Sequence, residues 1–176
     1  MRTTVAGLAF LLLSACDRPQ EPPTRASAPP ALDPDEAELA KVTAIHGAPG
    51  PWAVLGYRMG QAALEQLHLP AGSFDLEVVH HTPNKVQYSC IADGASAATG
   101  VSAGKLNLKL IESTEDAVYT EYINKKTGAR LALRPTGAFR DRYTNADRTK
   151  AHELGKDVLR AQATSLFEAF PLPDAP

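Results

Sequence analysis

Apolar residues change their spacing repeatedly along this chain, and each spacing predicts a different element. Val5 to Leu13 is a continuous apolar run. From Asp17 to Leu32 it gives way to polar and small residues around Pro19, Pro22, Pro23, Pro29 and Pro30, a composition that buries too little apolar area to fold. At Asp33-Pro34-Asp35-Glu36 the pattern becomes helical: Asp33 suits the cap, Pro34 the first turn and Glu36 the capping-box position. That helix runs to about Ile45, and His46-Gly47-Ala48-Pro49-Gly50-Pro51 breaks it. A second helix, Trp52 to about Leu67, sets Trp52, Leu55, Met59 and Ala63 on one stripe.

Beyond Leu69-Pro70-Ala71-Gly72 the period shortens to two. Phe74, Leu76 and Val78 alternate with Asp75, Glu77 and Val79, which predicts a strand running into His80-His81. A turn at Thr82-Pro83-Asn84 follows, and the small residues from Ser89 to Ala98 predict a tightly packed helix. Leu106, Leu108 and Leu110, then Val118 to Asn124, then Leu131 and Leu133 alternate as three strands of an antiparallel meander. Leu154, Val158, Ala161 and Leu166 predict one long C-terminal helix over about 145–170. The fold class is α+β: a small mixed, largely antiparallel sheet packed against helices.

The N-terminus places this domain in the cell envelope. The nine apolar residues of Val5–Leu13 are too few to cross a hydrocarbon core of about 30 Å, which takes roughly 20 helical residues. With Arg2 before the run and Leu13-Ser14-Ala15-Cys16 after it, residues 1–15 read as a secretion signal. The last four resemble a lipobox, which implies cleavage before Cys16 and a lipid on its sulfur. Residues 16–32 then form a linker, and residues 33–176 a single domain. Asp17 after the lipidated cysteine resembles an inner-membrane retention signal, so the expected location is the periplasmic face of the inner membrane. A protein partner or a homodimer stays open.

Charge and cysteine content narrow the chemistry. The formal charge is −2, and losing Arg2 with the signal makes it −3; the one basic cluster is Lys125-Lys126, so nucleic acid is not an expected partner. Of the two cysteines, one is Cys16. With that sulfur acylated, Cys90 has no intramolecular partner, and a disulfide within one chain is excluded.

Two stretches carry a resemblance. His46-Gly47, Pro51, Gly56-Tyr57-Arg58-Met59-Gly60 and Ala63-Leu64 come first; Cys90-Ile91-Ala92-Asp93-Gly94, Ala98-Thr99-Gly100, and Gly104-Lys105 with Leu106 and Leu108 come second. In this order and spacing, over roughly residues 36–135, they resemble the E subunit domain of formylmethanofuran dehydrogenase. The resemblance implies an α+β fold, a small mixed sheet covered by helices. It also implies an accessory role, since that domain is a part of a larger oxidoreductase rather than the carrier of its metal centre. The chain departs from the family pattern at Ala48, Gly50 and Val101, where members carry a histidine and two cysteines, and it lacks the C-terminal cysteine-pair zinc module.

What remains is His46, Cys90, Asp93 and Lys105 as candidate ligand-binding residues around one cleft, with His46 and Cys90 as metal-ligand candidates and a divalent ion as the candidate cofactor. His80 or His81 could add one donor but not both, because neighbours on a strand point to opposite faces. The competing structural account makes Cys90 a small buried hydrophobe, Asp93 a helix-start cap and His46 a helix-terminus residue. An enzyme reading, with His46 activating a Cys90 nucleophile, lacks a visible third orienting group; no catalytic residue is assigned, and a scaffold that kept the fold and lost the site is the remaining class.

Overall fold

The computed structural model describes residues 33–172. The expected secretion signal, the expected lipidation site Cys16 and the expected proline-rich linker lie outside the described residues. Helix α1, Pro34–His46, starts where Asp33 Oδ1 accepts from the Asp35 N–H at 3.1 Å, and stops where Gly47 turns left-handed (φ 87°) and returns its N–H to Thr43 O. Helix α2, Pro51–Gln66, buries far more than one stripe: Trp52, Ala53, Val54, Leu55, Gly56, Tyr57, Met59, Gly60 and Ala63 are all buried. It is the central helix, packed against α1, against α3 (Val86–Thr99) and against α5 (Ala151–Arg160).

The crossing of α2 and α3 fixes the helical layer. A Cβ on Gly56 would overlap the backbone of Ile91, and one on Gly94 would overlap the Ala53 carbonyl, so each helix lays bare backbone against the other. At Gly60 an added Cβ would meet Ala98 Cβ at 2.8 Å. The run of small residues on α3 exists because this crossing leaves room for nothing larger.

The sheet has the order β2-β1-β3-β4-β5. Strand β1, Leu76–Thr82, is interior, next to the edge strand β2, Leu108–Glu112, which lies parallel to it (Val78 opposite Leu108) after the α3 crossover. Strand β3, Tyr119–Asn124, runs antiparallel to β1 on its other side, with Tyr122 opposite Val78. Strand β4, Arg130–Pro135, completes a hairpin with β3. Leu76, Val78, Tyr122 and Leu133 turn one sheet face into the core beneath the helices.

Two expectations are corrected. The three later strands do not form a meander: β1 separates β2 from β3, and β2 pairs in parallel. Alternation identifies a strand but carries no information about its neighbour. The long C-terminal helix is also absent. In its place stand a 3₁₀ turn at Arg148–Lys150, α5, the one-turn α6 (Ala163–Leu166) and β5 (Phe167–Ala169). The reason is tertiary: the Arg58 guanidinium from α2 takes the carbonyls of Val158, Leu159 and Ala161, closing α5. The free edge of β4 then recruits the chain, with Arg134 opposite Glu168. Helix α4, Gly137–Tyr143, was not legible in the spacing; Thr136 caps it by accepting from Phe139 N–H at 3.1 Å.

Gly94→Ala is expected to destabilise by about 3 kcal/mol or more, at or beyond the upper end of ordinary overpacking, because the obstacle is backbone. Gly137→Ala, whose Cβ meets nothing within 4 Å at the first position of α4, is the control and should be neutral or stabilising by about 0.4–1 kcal/mol. Thermal unfolding of both checks this, with a fall of roughly 10 °C expected for Gly94→Ala alone. Equal melting temperatures would contradict the close crossing.

Candidate functional site

Where α1 ends and α2 and α3 begin, the fold leaves a cavity of about 270 Å³, closed on its far side by residues 143–151. Trp52, in the first turn of α2, is its fixed wall. The indole N–H donates to Tyr143 O at 3.1 Å, and the ring meets Tyr88 and Phe139 edge-on, each at 5.0 Å. Such edge-to-face pairs hold an aromatic ring in one orientation.

His46 and Cys90 line this cavity, and Asp93 holds His46 from outside it. Cys90 and Asp93 are i and i+3 on α3 and share a face. His46 is the last residue of α1, placed there by the turn at Gly47. Its Nδ1 bonds Asp93 Oδ2 at 2.8 Å, with the imidazole largely covered and the carboxylate half exposed. The Cys90 thiol donates to Val86 O at 2.8 Å, back along its own helix, and the sulfur is buried at the cavity wall. Hydrogen bonding with Cys90 raises the His46 pKa to about 9, burial opposes the rise, and Asp93 adds to it. The imidazole is therefore protonated at neutral pH. Asp93 lies in the middle of α3 rather than at its start, so its partner is His46 and not a free backbone amide.

The donor set does not fit a metal centre. Among the described residues no group of three or more His, Cys, Asp or Glu side chains could hold an ion, whereas zinc sites use three or four protein donors. His46 Nδ1 is already committed to Asp93. Ala48 and Gly50, two of the positions where the chain departs from the resembled motif, themselves line the cavity.

The other sequence candidates lie elsewhere. Lys105 sits beyond the opposite end of α3, donating to Gly100 O at 2.8 Å with its ammonium 5.1 Å from the Phe74 ring centroid. His80 is fully buried on the helix side of β1, its Nε2–H on Tyr88 O at 3.1 Å and its Nδ1 accepting from Thr120 at 2.9 Å; burial pushes its pKa down to about 4. His81, on the opposite face, stacks on Tyr119 at 4.0 Å with Nε2 3.3 Å from Glu121. Among the cavity residues that were not foreseen are Gln87, Tyr143 and Arg148. Gln87 stands three residues before Cys90 and shares its helix face, a signal that was available; Tyr143 and Arg148 reach the site through tertiary structure alone.

A protein-family model described as "FmdE, Molybdenum formylmethanofuran dehydrogenase operon" matches residues 45–168. It spans the end of α1 through β5, with every residue of the cavity inside it. No curated protein matches the chain.

The two shifted histidines give stability opposite pH slopes. His80 binds its proton only below about 4 when folded, against an ordinary value of 6.5, so the unfolded chain holds more protons in between and stability rises with pH over that window. His46 binds its proton up to about 9 when folded, so its contribution is complete below 6.5 and is lost as pH rises to about 9. Melting temperature is expected to peak near pH 6.5. His46→Ala should flatten the alkaline limb and keep the acid limb; an alkaline decline that survives this change would contradict the assignment.

Proposed function

Since the chain belongs to the FmdE family, we propose that it is an envelope-anchored, non-catalytic member that binds a small ligand in the cavity between His46 and Cys90. The observation that carries this reading is the cavity itself: it is walled by a fixed indole and bordered by a protonated imidazole. A domain kept only as a scaffold has no reason to hold such a space open, because filling it would stabilise the core. A small molecule suits the site better than a divalent ion, because His46 and Cys90 are too few donors and the wall is mostly apolar. Non-catalytic use agrees with the accessory role that the family resemblance implies. The anchor is the lipid on Cys16, holding the domain at the periplasmic face of the inner membrane on a linker that, where polyproline-like, extends up to ~50 Å.

Thermal shift of the full chain against a panel of small organic compounds and divalent cations tests the binding site. At least one organic compound should stabilise the protein, by about 2.7 kcal/mol at a hundredfold excess over its Kd. Gly50→Trp should abolish that stabilisation without unfolding the chain, since a Cβ at Gly50 meets nothing within 4 Å and the indole would occupy the cavity mouth. Stabilisation by cations alone, or by nothing in the panel, would overturn the reading. Cys16→Ser tests the anchor: the variant should leave the membrane fraction, and unchanged membrane association would contradict lipidation.

A further inference from the structure

The end of the fold beyond the last turn of α3 carries apolar and basic groups that the cavity does not use. Phe74, just before β1, is 68% exposed, and Leu106, between the Ala103–Lys105 3₁₀ turn and β2, is 83% exposed. Their loops are joined. Gly72 N–H donates to Thr99 O at 2.8 Å, and Lys105 reaches back to Gly100 O with its ammonium over the Phe74 ring. The β3–β4 turn closes against the same loop, with Lys125 N–H on Asp75 O at 2.8 Å.

A single exposed apolar side chain needs no explanation. Leu106 differs because it stands in the left-handed region (φ 55°), where a leucine is held at a backbone cost that glycine or asparagine would avoid. Packing returns nothing for that cost, since the side chain lies in solvent. Charge gathers in the same place. Segments 69–75, 100–107 and 124–129 hold Lys105, Lys125 and Lys126 against the single carboxylate of Asp75, a local charge of +2 in a chain of formal charge −2. Lys125 and Lys126 are both exposed. The apolar part of this patch is two projecting side chains, far short of the roughly 800 Å² per partner that a stable protein interface covers. A bilayer surface accepts such tips and, where it is anionic, attracts the lysines beside them.

We propose that this end of the domain rests on an anionic bilayer, with Phe74 and Leu106 entering the headgroup layer and Lys105, Lys125 and Lys126 facing the lipid phosphates. The proposal rests on the membrane location read above and adds a contact that a tether alone does not supply. Its consequence is orientation. Helix α3 is 14 residues, about 21 Å, with the cavity at its start and the patch beyond its end, so the contact holds the cavity clear of the lipid. A contact of this size is reversible by itself, so the Cys16→Ser chain still leaves the membrane fraction.

Sedimentation of the full Cys16→Ser chain with vesicles of phosphatidylcholine alone, and of phosphatidylcholine mixed with phosphatidylglycerol, tests the contact. Binding should be stronger on the mixed vesicles. Phe74→Ser with Leu106→Asn should weaken it about tenfold or more, and Lys125→Glu with Lys126→Glu should weaken it to a similar extent. Both pairs change exposed side chains, so melting temperatures should stay close to that of the parent chain. Amide hydrogen exchange locates the contact: segments 69–75 and 100–107 should be protected on mixed vesicles, and segments 86–90 and 143–151 should not. Equal binding to the two vesicles, binding that survives either pair of substitutions, or binding that leaves both loops unprotected would each overturn the proposal. Protection of the loops at raised protein concentration without vesicles would assign the patch to a second copy of the chain and overturn it as well. The chain tested carries no lipid, so failure here is distinct from failure of the Cys16 anchor.

Discussion

Everything at the site depends on the bare-backbone crossing of α2 and α3. Gly56 lies on the Ile91 backbone and Gly94 on the Ala53 carbonyl, which brings the two helix axes closer than any side chain would permit. That closeness sets the first turns of both helices side by side, with Trp52 at one start and Gln87 and Cys90 at the other. The cavity is the gap ahead of those two starts. Widening the crossing by one methyl group would move one wall relative to the other, so the packing and the shape of the cavity share a single constraint.

The rest of the fold holds this pair in place. Arg58 reaches from α2 to close the end of α5, and the carbonyls it takes are those that a terminating helix leaves unpaired. Trp52 ties α2 to Tyr143, at the end of α4. His46 joins α1 to α3 through Asp93. On the outside, Lys156 with Glu36 and Arg160 with Asp35 link α1 and α5, but these pairs are solvent-exposed and contribute little beyond orientation. The interior contacts thus position the cavity, and the surface charges trim it.

Much of this was legible in the residues. Asp33-Pro34 marked the start of α1, the small-residue run marked α3, and the period of two marked β1, because each signal is local. Cys90 and Asp93 could be read as neighbours from their helical spacing, and the His46 stretch was tied to theirs through the family pattern. Lys105 belongs to that pattern too, yet a 14-residue helix is about 21 Å long and Lys105 follows its far end. Sequence order within a motif did not reveal which end of α3 each part would occupy. The C-terminal region misled for a different reason: Leu154 and Val158 keep a helical period, but the unpaired edge of β4 and the Arg58 clamp decide the outcome, and neither is encoded near residue 160. Arg148 could not be placed for the same cause.

Whether His46 and Cys90 are coupled across an accessible cavity or sealed in the core is decided at the Cys90 sulfur. The rate at which a small alkylating reagent modifies Cys90 near neutral pH, in the folded Cys16→Ser chain where Cys90 is the sole thiol, addresses it directly. Cys90 lines the cavity beside His46, so labelling should proceed in the folded state and should change in rate when His46→Ala is added. Labelling that appears only after denaturation, at the same rate with and without His46, would contradict the coupling and return Cys90 to the hydrophobic core.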